Sequence, residues 1–279
     1  MQTILFLHDL PSALVYAVFM LGAGILGGLT CLLVTPRLNL PQAKDHLDMA
    51  MRTSGTVTAA LTLTLAFCAV QARTQVAEAE RMVASEVSSI ASLARTAERL
   101  GPQGQQLRAE AARYLDSIAT AEFPRMARHG RDPETQRRAE ALERAAFEAA
   151  GQVASLLATD LLEEEDQVEE RREARLSAAT AGLPPPFWTL ILVLVGLLIG
   201  TGLLYPPRKL NAAMLAVQAA GIGALIAFVF VMDKPFSGHQ AISVEPYIHL
   251  QHSIARRAEQ PARFGLPPGA EVPARQRGI

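Results

Sequence analysis

Ser54, Thr58 and Thr62 stand four residues apart, the spacing that stacks side chains on one face of a helix. Three hydroxyls in line can solvate an ion crossing an apolar medium, or they can bond to a neighbouring helix. Both readings stay open from the residues alone. Thr56 and Thr64 fall elsewhere on the helical wheel, whereas Leu61, Leu65 and Cys68 continue the hydroxyl face as an apolar one. Other chemistry is sparse. His249 and His252 are three apart but lack a third ligand nearby, and zinc sites generally need at least three protein ligands, so they read as a surface pair. Cys31 and Cys68 lie in apolar stretches and read as small packing residues. The sequence contains no GxGxxG, Walker loop, GxSxG, HExxH or CxxC. No enzyme, cofactor or metal is expected. Without a basic patch interleaved with aromatics, nucleic-acid binding has no support either.

The hydroxyls sit in one of four blocks nearly free of charge. The chain has 279 residues, 50% apolar and 19% charged, with a net charge of -1. The blocks are 12–35, 54–72, 187–205 and 210–232, and none contains Asp, Glu, Lys or Arg. About 20 apolar residues of helix cross a hydrocarbon core ~30 Å thick. The expectation is an all-α integral membrane protein with four transmembrane helices in a lipid bilayer. Pumps and ion-coupled transporters commonly use intramembrane charges, so these spans argue against them. The first block lacks a basic leading segment and a small-residue cleavage site, which predicts a retained span rather than a signal peptide. Glycines 22, 24, 27 and 28 in the first block, and 221 and 223 in the fourth, predict close helix contacts.

The blocks divide the chain into a first helix pair (1–72), a helical extramembrane domain (73–186), a second pair (187–232) and a polar tail (233–279). Short linkers, 36–53 and 206–209, join the members of each pair. Apolar residues recurring at threes and fours from Val76 to Ala97 predict that the second span continues outward to about Leu100, where "GPQGQ" stops it. A second helix is expected to end near Phe123-Pro124. After a loop over 128–135, with Asp132 as N-cap and Pro133 at the first helical position, a long third helix runs toward Ala179. "AGLPPPFW" (181–188) breaks it. The domain carries 15 Arg against 20 Asp plus Glu. Its densest run, "EEEDQVEERREAR" (163–175), reads first as a solvated face and alternatively as a charged ring about an oligomer axis. Asp233 and Lys234 mark where the fourth span meets water, and Pro235 stops the helix.

In this order the segments resemble the bestrophin-like family of bacterial membrane proteins. The resemblance rests on "EVSSIASLARTAERL" (86–100), beginning at Glu86; "AARYL" (111–115), with Tyr114; and "RREARL" (171–176), with Arg175. It continues through Pro184 and Trp188 and then Asp233, Pro235, Phe236, Gly238, Glu245 and Pro246. It covers most of residues 12–248. Lys234 stands in place of the more usual arginine, and Phe123 where a tryptophan is common. A more remote likeness to true bestrophins, which are pentameric anion channels lined by the second helix, implies a homo-oligomer passing chloride or another small anion. Thr58, Thr62, Leu65 and Phe67, together with Ser54 from the hydroxyl row, are then the pore-lining candidates. The alternative is a non-conducting membrane protein whose helical domain binds a partner or senses envelope stress. A multi-pass protein of a bacterial inner membrane is expected. Arg37, Lys44 and Arg52 in the first linker and Arg208 and Lys209 in the second favour the domain outside the cytoplasm. The bestrophin likeness implies the opposite side.

Overall fold

Between residues 44 and 99 there is no proline and only one glycine, and nothing interrupts a helix built from Ala, Leu, Glu and Arg. The computed structural model describes residues 10–38, 44–180, 182–236 and 241–259. It forms that stretch as one 56-residue helix, α2 (Lys44–Arg99). Most of the expected first linker therefore belongs to the opening turns of α2. Gly101, at φ +62°, ends the helix in a left-handed turn that a side chain would strain. A 3₁₀ turn (Gly101–Gly104) follows, where a Cβ on Gly104 would lie 1.8 Å from the Ala97 carbonyl oxygen.

The other helices are α1 (Ser12–Leu38), α3 (Gln105–Ser117), α4 (Phe123–His129), α5 (Pro133–Ala150), α6 (Ser155–Thr180), α7 (Pro185–Gly202), α8 (Lys209–Met232) and α9 (Glu245–Glu259). No strand occurs among the described residues. Four helices among them are long and apolar enough to cross a membrane; these apolar segments lie in α1, the first half of α2, α7 and α8. In space, α1 packs along α8, and α2 packs along α7, so neighbours in sequence are not the closest neighbours in the bundle. Small residues make the α1–α8 contact tight. A Cβ on Gly27 would lie 2.9 Å from that of Ala219, and one on Gly223 would lie 2.5 Å from the Phe19 carbonyl oxygen. The contacts expected of Gly24 and Gly28 also occur, whereas Gly22 and Gly221 have nothing within 4 Å.

Two cores result. In the membrane half, Leu61, Leu65, Cys68 and Ala72 of α2 meet Leu183, Ile191, Ile222 and Val229. In the domain, Ile90, Leu93 and Ala97 of α2 meet Leu107 and Leu115 of α3, Leu142 and Ala146 of α5, Leu161 and Val168 of α6, and Ile254 of α9.

Two expected boundaries differ. Pro124 does not end the second helix: the chain passes through a π-helical stretch (Ile118–Glu122) directly into α4, where Pro124 sits at a first-turn position that needs no amide donor. The long third helix is instead two, because Gly151–Ala154 turns the chain between α5 and α6. The cap expected at Asp132 forms: its Oδ2 accepts from the Glu134 and Thr135 amides at 3.0 and 3.1 Å.

Candidate functional site

Two arrangements can do more than hold the fold together: the hydroxyl-bearing part of α2 and a buried charge cluster in the domain.

The hydroxyl row on α2 divides as the helix turns. Ser54 is buried. Thr58 Oγ1 accepts from Gln218 Nε2 of α8 at 2.8 Å, so this hydroxyl bonds across a helix contact. Leu65 is buried against the α7–α8 side. Thr62 is exposed. The hydroxyls of Thr53, Thr56 and Thr64 return to the carbonyl four residues back. Phe67 is exposed too, but lies five residues on, about 140° further round the helix, with its ring 5.9 Å from that of Phe187. Gly55, Ala59, Thr62 and Ala66 form an exposed stripe about 110° round the helix from the packed positions Ser54, Leu61, Leu65 and Ala72, and Arg73 extends it two turns further.

The charge cluster assembles from four helices and the π stretch. Glu86 of α2 is fully buried, as are Glu122, Tyr114, Tyr247 and Arg175, with Arg172 nearly so. Glu86 Oε2 accepts from Arg175 Nε at 2.5 Å and from the Tyr247 hydroxyl at 2.7 Å. Its Oε1 accepts from Arg175 Nη2 and the Tyr114 hydroxyl, both at 3.2 Å. Glu122 joins the two arginines, receiving Arg175 Nη2 and Arg172 Nη2 at 2.7 Å each. Arg172 Nη1 donates to Gln136 of α5 at 2.7 Å. Burial works against the charge on Arg175, but the Glu86 and Glu122 carboxylates outweigh it and hold the guanidinium protonated. Burial, reinforced by the Glu86 carboxylate, pushes both phenols well above their ordinary value, so each stays a neutral donor.

The local sequence explains how the groups converge. On α6 the buried positions Leu161, Glu165, Val168, Arg172, Arg175 and Ala179, with Leu176 beside Arg175, run alternately by four and three, the period of a helix face. The charge run is therefore a solvated face only in part, because three of its ionisable residues lie on the inward stripe. The π stretch brings in Glu122, and the Thr135 hydroxyl bonds the Ser117 carbonyl at 3.1 Å just where the stretch begins.

Of the residues expected from the family likeness, Glu86, Tyr114 and Arg175 meet in this cluster. A second group braces the membrane–domain junction. Asp233 Oδ1 accepts from the Leu183 amide at 2.6 Å, beside Pro184, and Trp188 stacks edge-on against Phe230 at 6.4 Å. The Pro235 carbonyl accepts from the Ile242 amide at 2.9 Å, and Phe236 meets Phe123 edge-on at 5.8 Å. Glu245 and Pro246 open α9 at its exposed start. Gly238 lies outside the described residues. His249 and His252 are both exposed, and no group of three or more potential metal ligands occurs among the described residues. Sequence reasoning missed Glu122, Arg172 and Tyr247. The inward period of α6 was a usable signal for Arg172; the π register that brings in Glu122 left none.

The sequence matches the bestrophin-like domain family over residues 25–247. Among solved structures, the fold is similar to a mutant of a bacterial bestrophin homologue from Klebsiella pneumoniae. The TM-score is 0.63 at 12% identity, over 90% of this chain and 100% of that one. Another structure of a bacterial bestrophin homologue from that organism, solved by zinc phasing, gives a TM-score of 0.59 at 13% identity, over 88% and 100% of the two chains. A third match is described only as a membrane protein, with a TM-score of 0.62 at 10% identity, over 88% and 99%. No curated protein matches the sequence.

Proposed function

We propose, from the premise that this chain belongs to the bestrophin-like family, that it forms a homo-oligomeric channel passing chloride or another small anion down its gradient, along the outward face of α2. The observation that carries the reading is the stripe of Gly55, Ala59, Thr62 and Ala66, which its own chain leaves exposed at membrane depth. A pore needs such a stripe: small residues leave room for an ion, a hydroxyl replaces part of its hydration shell, and apolar neighbours gate by dewetting. Arg73, on the same side of the helix, would draw anions toward one mouth. Ser54, Thr58 and Leu65 flank this stripe on the packed side of the helix, with Thr58 tied to Gln218. Phe67 stands at the seam with α7. The ring size expected from the bestrophin likeness is five. The membrane is that of a bacterial cell, and the basic linkers favour the domain outside the cytoplasm.

The test is purified full-length protein in planar bilayers under a chloride gradient. The expected result is a reversal potential close to the chloride equilibrium potential, with a current reduced by Thr62→Leu. Silent bilayers from a verified intact oligomer would contradict the reading and favour a domain that binds a partner.

A further inference from the structure

α5 and α6 enclose a cleft of roughly 30 Å³ beside the charge cluster. Glu165 of α6 lines it. This residue is only 6% exposed; its carboxyl has neither a hydrogen bond nor an ion pair among the described residues and meets solvent at the mouth of the cleft. Its position follows from the inward stripe of α6, which carries it into the space between the helices. Burying a carboxyl without a partner disfavours its charged form.

The ionisable groups around it are mostly carboxylates. From α5, Glu140 and Glu143 line the cleft; from α6, Glu169 does so, with Asp166 adjacent in sequence. Arg172 lines the cleft as well; its two Nη atoms are committed to Gln136 and Glu122, and its Nε is buried without an acceptor. Tyr114 of α3 already donates its hydroxyl to Glu86. No charged residue of α2 lines the cleft. Desolvation, then repulsion from Glu143, Glu169 and Asp166, raises the Glu165 carboxyl to about 7.

We propose that Glu165 is a proton-binding site that makes the α5–α6 contact pH-sensitive. Protonated, it packs into the cleft as a neutral group. Deprotonated, having released its proton to solvent, it sets a buried negative charge opposite Glu143 and loosens the two helices. Arg172 links the same cleft to the charge cluster, so loosening reaches the residues that join α6 to α2. The proposal stands apart from the channel reading, because it concerns the domain alone.

Hydrogen–deuterium exchange of the full-length protein in detergent tests it, with rates corrected for the chemistry of exchange itself. A carboxyl that titrates at about 7 when the cleft is closed, and at its ordinary 4.5 when open, raises the opening constant about tenfold between roughly pH 6 and pH 8. Protection of α5 and α6 should therefore fall about tenfold across that window. Glu165→Gln should hold the low-pH protection at both values. Glu143→Gln, at an exposed position, should move the midpoint to lower pH by removing the opposing charge. Wild-type protection that does not change, a Glu165→Gln protein that loses protection as the wild type does, or a midpoint that ignores Glu143→Gln would each overturn the proposal. The last comparison applies even if Glu165→Gln fails to fold.

Discussion

Glu86 is fully buried, and four hydrogen bonds from one arginine and two tyrosines stand in for solvent. Taking a carboxylate and a guanidinium out of water costs several kcal/mol per ion, and their attraction offsets this only where the geometry is good and the remaining atoms are bonded. Both conditions hold for Glu86. The cluster is better read as a fastener that fixes which helices meet than as a store of stability. Removing one partner is a different matter, because it leaves charge buried. Arg175→Met should cost about 3–5 kcal/mol, read from denaturant unfolding of the detergent-solubilised protein by circular dichroism. A loss below about 1 kcal/mol would mean that water reaches the site. At this scale the sequence was legible in part. Glu86, Tyr114 and Arg175 could be picked out by family likeness, but that likeness gave no partners. Arg172 and Glu165 were hidden by their neighbours: in so acidic a run, a solvated face is the natural reading, and only the alternating three–four spacing separates the inward members from the rest.

Whole elements were more legible than their ends. The extension of α2 out of the membrane into the domain followed from its apolar period, and its stop followed from Gly101-Pro102. The break between α5 and α6 at Gly151 was missed because the helical pattern resumes almost at once. Pro124 misled in the opposite sense: a proline within a helix-like sequence reads as an end, yet a π turn before it lets the chain continue. The contact between α1 and α8 depends on the absence of side chains. Gly223→Val would drive atoms into the Phe19 carbonyl and the Ala23 side chain, at a cost typical of overpacking, about 1–3 kcal/mol. Gly221→Val, two residues away with nothing within 4 Å, is the matched control. Thermal unfolding in detergent should show a lowered midpoint for the first and little change for the second. Equal effects would mean that α1 and α8 do not meet at Gly223.

At the scale of the molecule, four spans and a helical domain could be read from the placement of charge alone, because the bilayer demands long uncharged helices. The packing partners of those spans could not, since hydropathy records burial in lipid and not which helix lies alongside. The same limit applied to the hydroxyl row. Its period showed a shared face, but only the fold separates Thr58, bonded to Gln218, from Thr62, exposed four residues later. That difference allows the central claim to be tested in one recording. Chloride current from Thr62→Cys protein in planar bilayers should be blocked by a charged thiol-reactive reagent, while Thr58→Cys and the wild type, whose Cys31 and Cys68 are buried, conduct unchanged. A current that survives modification at residue 62, or one blocked through residue 58, would contradict a pore along the outward face of α2.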